Sequence, residues 1–206
     1  PHCAFANWRH LVAKCRVMSI LSALVLAMIS FPSGAHAQSN SPIAAEGVLD
    51  LRNWSFSNDG PVVLDGDWNI WWNQLIDFPA EPPTQSYTIP SFWNGHDMTP
   101  KSDVSDGRGC ASFGLKVLLP PAEAGELGIY IRIAISATTL YTFDPLSHDG
   151  AATKRVSIGT PACTKQKEVP IWISKVVRLP IDGSREQIYL MWQVSNHHFA
   201  RGGPAV

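Results

Sequence analysis

The sequence predicts an all-β protein, an antiparallel β-sandwich, from three observations. Apolar residues recur mainly with a period of two, in short runs closed by turn residues. The 16 Pro and 15 Gly are spread along all 206 residues and leave no room for a long-helix bundle. Eight Trp in a chain only 16% charged provide large apolar bodies for packing between sheets. The length suits one domain or little more, enough to bury a core.

The first element reads as an address. Arg9, Lys14 and Arg16 precede the apolar residues 17–31, and Ala35-His36-Ala37 follows as a small-x-small end. A basic head, an apolar stretch and such an end are the three parts of a secretory signal. Residues 1–37 are therefore expected to be a signal peptide, with a mature start at Gln38 and a linker over 38–46. The chain begins with Pro1, and Met18 heads the apolar stretch, so either translation starts at Met18 or the sequence is a fragment. Removing the leader takes the basic residues from 16 to 13 against 17 acidic ones, a net charge of about −4. That balance gives no footprint for a phosphate backbone, and nucleic acid is not an expected partner. Of the four cysteines, Cys110 and Cys163 remain. In an oxidising compartment two readings of them stand, one disulfide or two buried thiols.

Strands are expected at 48–51, 54–56, 62–64 and 67–72, with Asp65-Gly66 as a hairpin turn between the last two. Trp68, Ile70 and Trp72 then share one face and Trp71 faces away. Residues 72–77 have room for a short helix, and the proline-rich stretch 78–83 is an extended linker. Further strands are expected at 87–89, 113–119, 127–135, 138–143, 171–173, 175–179 and 188–194. Leu127, Ile129, Ile131, Ile133 and Ile135 line one face. Residues 188–194 are apolar almost throughout, as in a strand buried on both faces. Trp54, Trp68, Trp72 and Trp192 are expected to fill the core, with Trp68, Ile131, Ile133 and Trp192 buried together.

Chemistry leaves few marks. No nucleophile elbow, phosphate loop, His-Glu-x-x-His or Cys-x-x-Cys occurs, so no catalytic residue, cofactor or metal site is expected. The acidic residues Asp59, Asp65, Asp103, Asp106 and Asp149 read as turn residues. His197 and His198, adjacent at a strand exit, read as polar end residues; a shared metal would need an irregular loop there. Trp71 and Trp93 carry two readings, core plugs or platforms for a flat ligand. If Trp93 is a platform, Asn94, His96, Asp97 and Arg108 of its loop are the hydrogen-bonding groups of a ligand site, joined by Asn196, His197 and His198 if the two loops share one end.

The order of motifs resembles a known family. Asp50-Leu-Arg-Asn-Trp54, the run from Gly60 through Leu64-Asp-Gly-Asp-Trp68 to Gln74-Leu75, Ile89-Pro-Ser-Phe-Trp93, Gly107-Arg-Gly-Cys-Ala-Ser-Phe113 and Val194-Ser-Asn-His-His198 with Gly202-Gly203 follow one another. This is similar to the N-terminal extracytoplasmic domain of bacterial seven-transmembrane receptors with diverse intracellular signalling modules. The resemblance covers residues 47–203. It implies a galactose-binding-like jelly roll, shared with the sugar-binding domain of family 2 glycoside hydrolases. It also implies a periplasmic sensor of a small molecule or carbohydrate, anchored through segments beyond Val206. The output there would be a cyclase, diguanylate cyclase, kinase or phosphatase. One departure stands: where relatives carry Tyr-x-Asn-Gly, this chain has Tyr141-Thr-Phe-Asp-Pro145. Two other readings remain open, a sugar-binding module of a secreted glycosidase and a non-catalytic interaction domain.

Overall fold

The computed structural model describes residues 41–98, 105–121, 127–131, 136–144, 152–179 and 185–204. The expected leader, Ile133, Ile135 and the loop residues 99–104 lie outside them. The described chain is an all-β, antiparallel sandwich without a helix.

Nine strands carry it: β1 (Val48–Asp50), β2 (Gly66–Trp72), β3 (Gln85–Ile89), β4 (Gly109–Leu118), β5 (Gly128–Ile131), β6 (Ala137–Phe143), β7 (Ala152–Ile158), β8 (Lys175–Arg178) and β9 (Gln187–Asn196). The wide sheet runs β3-β2-β4-β9-β6-β7, and β1 joins it parallel to β4 where β2 has diverged. At its centre β4 and β9 pair over ten residues, from Gly109 opposite Asn196 to Leu118 opposite Gln187. The second sheet is the antiparallel pair of β5 and β8.

The period of two decides which residues face inward. Trp68, Ile70 and Trp72 of β2, Phe113 and Leu115 of β4, Leu140 of β6 and Ile188 and Leu190 of β9 form the intersheet core. Trp54 is buried in the same cluster, and Trp192 and Ile131 pack against it half-buried. The Trp68 and Trp192 rings lie 6.2 Å apart, and the Trp68 indole donates to the Leu64 carbonyl at 3.1 Å. Trp68→Ala should cost about 3–5 kcal/mol, the range for deleting a core aromatic, read as a lowered denaturant midpoint.

Trp71 faces the other way, as the alternation requires, yet it is buried. Residues 73–84 cross the outer face of the wide sheet and cover it. The Trp71 indole donates to the Glu81 carbonyl, and Tyr141, Phe143 and Met191 pack beside it. The crossing is tied down by Ser112, whose hydroxyl donates to Gln74 O and accepts from Ile76 N, and by Gln193, which donates to Ile76 O and Asp77. Trp71 is thus a plug and not a ligand platform. The short helix allowed at 72–77 is replaced by the end of β2 and this irregular crossing.

Three strand assignments are corrected. Residues 54–56, 62–64 and 171–173 form no strand, and Asp65-Gly66 makes no hairpin. Ala44 lies against Gly66 instead: Ala44 N donates to Asp65 O and Asp67 N to Ala44 O, both at 2.8 Å. Gly66 has φ 110°, and a Cβ there would strike the Ala44 backbone. The glycine serves a close approach of two chain segments rather than a tight turn. In the other direction, β7 is a strand that the apolar pattern does not announce. It closes one edge of the wide sheet with exposed Lys154 and Arg155, side chains that discourage further strand pairing.

Candidate functional site

The two loops suspected of forming a ligand site do lie at one end of the wide sheet, because Gly109 at the start of β4 pairs with Asn196 at the end of β9. Most of their polar groups are engaged in holding the end together. Trp93 is fully buried, edge-on to Trp72 with ring centroids 5.0 Å apart, and its indole donates to Gly107 O at 2.8 Å. No face of it is open to a ligand, which corrects the platform reading: Trp93 is the plug beneath the loop.

Asn94 donates to Ala200 O (2.8 Å) and Asp106 O (3.2 Å) and accepts from Gly202 N (3.1 Å). Asn196 is fully buried, donating to Gly107 O, Phe199 O and Arg201 O and accepting from Phe199 N. Both amides thus act as clamps between three chain segments. Gly202 completes the clamp, since its carbonyl accepts from Trp93 N and a Cβ there would run into Gly107 O and the Trp93 indole. Arg108 turns back on Asp106 at 3.0 Å, both side chains in solvent. His96 is exposed and meets the Tyr87 ring edge-on, and Asp97 is exposed beside it. His96, Asp97, Arg108 and His198 therefore sit at the surface.

The histidine pair belongs to a different construction. Glu168, whose side chain is 1% exposed, accepts from the Ser195 hydroxyl at 2.7 Å and from His197 N at 2.7 Å, with His198 Nε2 at 3.6 Å. Ser195 Oγ in turn accepts from Ala162 N, and His197 Nε2 lies 3.1 Å from Ala162 O. Next to Ala162, Cys163 forms a disulfide with Cys110, with the Cα atoms 5.0 Å apart. A buried carboxylate with two short donors and a covalent bridge thus moor residues 160–169 to the end of the two central strands. Among the described residues no group of three or more His, Cys, Asp or Glu is placed to hold a metal ion.

The space between the sheets is open. A cavity of ≈ 480 Å³ lies there, within the range of small-molecule pockets. Trp68, Leu190 and Trp192 line it from the wide sheet, Ile129 and Ile131 from β5, and Leu64 from the segment leading into β2. Trp192 Nε1 is already bonded to the Thr138 hydroxyl and Trp68 Nε1 to Leu64 O, so the indoles show apolar faces. Asp65 is the only charged lining residue among those described. Burial pushes its carboxyl above the ordinary value. Water suits such walls poorly, since each molecule needs two to four polar partners. Sequence reading missed this site because its walls are ordinary core residues. Only the width of the gap between the sheets makes them a pocket, and no residue pattern records a width.

No protein-family model matches the chain, and no curated protein matches it. Among solved structures it is similar to a β-glucuronidase of Faecalibacterium prausnitzii, at 13% identity and TM-score 0.46. The match covers 65% of this chain and 20% of that enzyme's chain.

Proposed function

We propose that residues 41–206 are a non-catalytic, extracytoplasmic ligand-sensing domain of a membrane receptor, with the ligand held between the two sheets. The observation that carries the ligand reading is the apolar intersheet cavity of ≈ 480 Å³ with a single charged residue in its described wall. The receptor reading is supported by the order of five motifs over residues 47–203. Of these motifs, Trp93, Gly107, Asn196 and Gly202 clamp one end of the wide sheet, and Trp54 and Trp68 fill the core. The receptor's membrane segments and output module would lie beyond the residues given.

A second reading, a carbohydrate-binding surface, is favoured by one feature. Trp172 is 64% exposed and its ring lies 5.3 Å from that of Phe199, an aromatic pair of the kind on which sugars stack. Titration of the folded domain with small apolar molecules and with oligosaccharides, followed by tryptophan fluorescence, separates the two. The cavity reading expects saturable binding of the apolar set, weakened by Ile129→Trp and unaffected by Trp172→Ala. Oligosaccharide binding lost on Trp172→Ala would replace it. Sequence of the gene beyond position 206 tests the receptor: several apolar segments of about 20 residues are expected, and their absence would overturn it.

A further inference from the structure

We propose that the intersheet cavity selects amphiphiles that carry a cationic amine head on an apolar tail, with Asp65 receiving the head. This rests on reading the cavity as the ligand site and adds the class of ligand. The tail is argued from the walls. Trp68, Leu190, Trp192, Ile129, Ile131 and Leu64 present carbon surface, and the two indole N–H groups are already bonded to protein oxygens. A sugar would leave its hydroxyls without partners there, at a cost in binding for each one buried. An alkyl or ring system meets no such penalty.

The head is argued from Asp65. It lies in the segment between Leu64 and Gly66, whose backbone is fixed by the paired hydrogen bonds to Ala44, so the residue is held in position. No hydrogen bond or ion pair engages its carboxylate among the described residues, although burial disfavours its charge. Among the described residues, the ion pairs Arg52–Asp50, Arg108–Asp106, Arg185–Asp144 and His198–Glu168 do not involve it. A half-buried acceptor in the wall of an apolar cavity gains most from a donor bearing positive charge, by both the charge-assisted hydrogen bond and the lowered local dielectric. A carboxylate ligand of the same shape would meet like charge at that point and be rejected. One residue thus separates amine from fatty-acid amphiphiles.

The test uses decylamine, decanol and decanoate, all below micelle formation, titrated into the folded domain with Trp68 and Trp192 as fluorescence reporters. Decylamine is expected to bind about tenfold or more tighter than decanoate, with decanol between. Asp65→Asn should bring decylamine to the level of decanol without weakening decanol. Decanoate binding as tightly as decylamine, or an unchanged preference in Asp65→Asn, would overturn the assignment of the head while leaving the cavity as a ligand site. No saturable binding of any of the three would overturn the cavity reading itself. Ile129→Trp, which narrows the cavity from β5, should weaken all three together. If that variant does not fold, Asp65→Asn alone still decides.

Discussion

At the scale of single residues, two carboxylates have opposite surroundings. Glu168 sits in the polar stretch Lys165-Gln-Lys-Glu168. The fold buries it under two short hydrogen bonds from Ser195 and His197. Glu168→Ala leaves both donors without a partner and should cost about 1–3 kcal/mol in chemical denaturation. His198→Ala, which removes only a longer contact at 3.6 Å from a partly exposed ring, should cost well under half of that. Equal losses would show that the ion pair, and not the buried hydrogen bonds, is the stabilising feature. Asp65 has no such donors, and its pKa is raised above 3.8 by burial. The folded chain therefore holds a proton there more tightly than the unfolded chain. The penalty for its charge is absent below about pH 4, grows as pH rises toward the folded pKa, and is full at neutral pH. Asp65→Asn should raise the thermal midpoint at neutral pH, with the gain fading in acid. A gain that is constant with pH would refute this linkage. What the sequence could not reveal about Glu168 is its partner Ser195, 27 positions away.

At the scale of elements, legibility followed how completely one face of a strand is buried. The strands β2 and β4 were readable from the period of two, down to the opposite facing of Trp71, and β9 from its nearly continuous apolar run. The strand β7 was not readable, because it is exposed along most of its length and its residues obey only backbone pairing with β6. Residues 62–64 and 171–173 erred the other way, apolar in composition but unpaired. In the first case the backbone partner beside Asp65-Gly66 is Ala44, not a neighbouring hairpin arm. The clamp residues Asn94, Asn196 and Gly202 stood out in the sequence as candidate binding groups or motif glycines. Their structural use was hidden because it depends on two loops meeting. The disulfide belongs to this scale as well. It fastens residues 160–169, outside the regular strands, to the first residues of β4 across 53 positions. Closing a loop of that length in the unfolded chain is worth up to about 4 kcal/mol on the chain-entropy estimate. Denaturant unfolding with and without a thiol reductant should show a loss of that order or somewhat less. A midpoint unmoved by complete reduction would mean that Glu168 and the Thr160–Val169 pairing hold the loop without the bridge.

At the scale of the whole molecule, the two layers are unequal, and the inequality is what makes a site. The wide sheet is built on the ten-residue ladder of β4 and β9 at its centre, flanked on both sides by further strands. The opposing layer is described as the four-residue ladder of β5 and β8, with Tyr130 and Val176 paired and exposed on its outer side. Its inner side meets the core through half-buried Ile129 and Ile131 and buried Val177, with the cavity between. A short ladder resting on a cavity has fewer apolar contacts to lose on opening than a central one packed on both faces, so its local opening free energy should be lower. Hydrogen exchange on the folded domain should therefore rank the amides of β5 and β8 as faster than those of β4 and β9, which should exchange only with global unfolding. A ligand seated between the sheets adds contacts to both layers at once. It should slow the β5 and β8 amides selectively, by the amount that its binding stabilises the closed pair. Protection of β5 and β8 equal to that of the central ladder in the free protein would mean that the second layer is rigid. The cavity would then be a fixed feature of the packing, and ligand binding would have no layer movement through which to be reported.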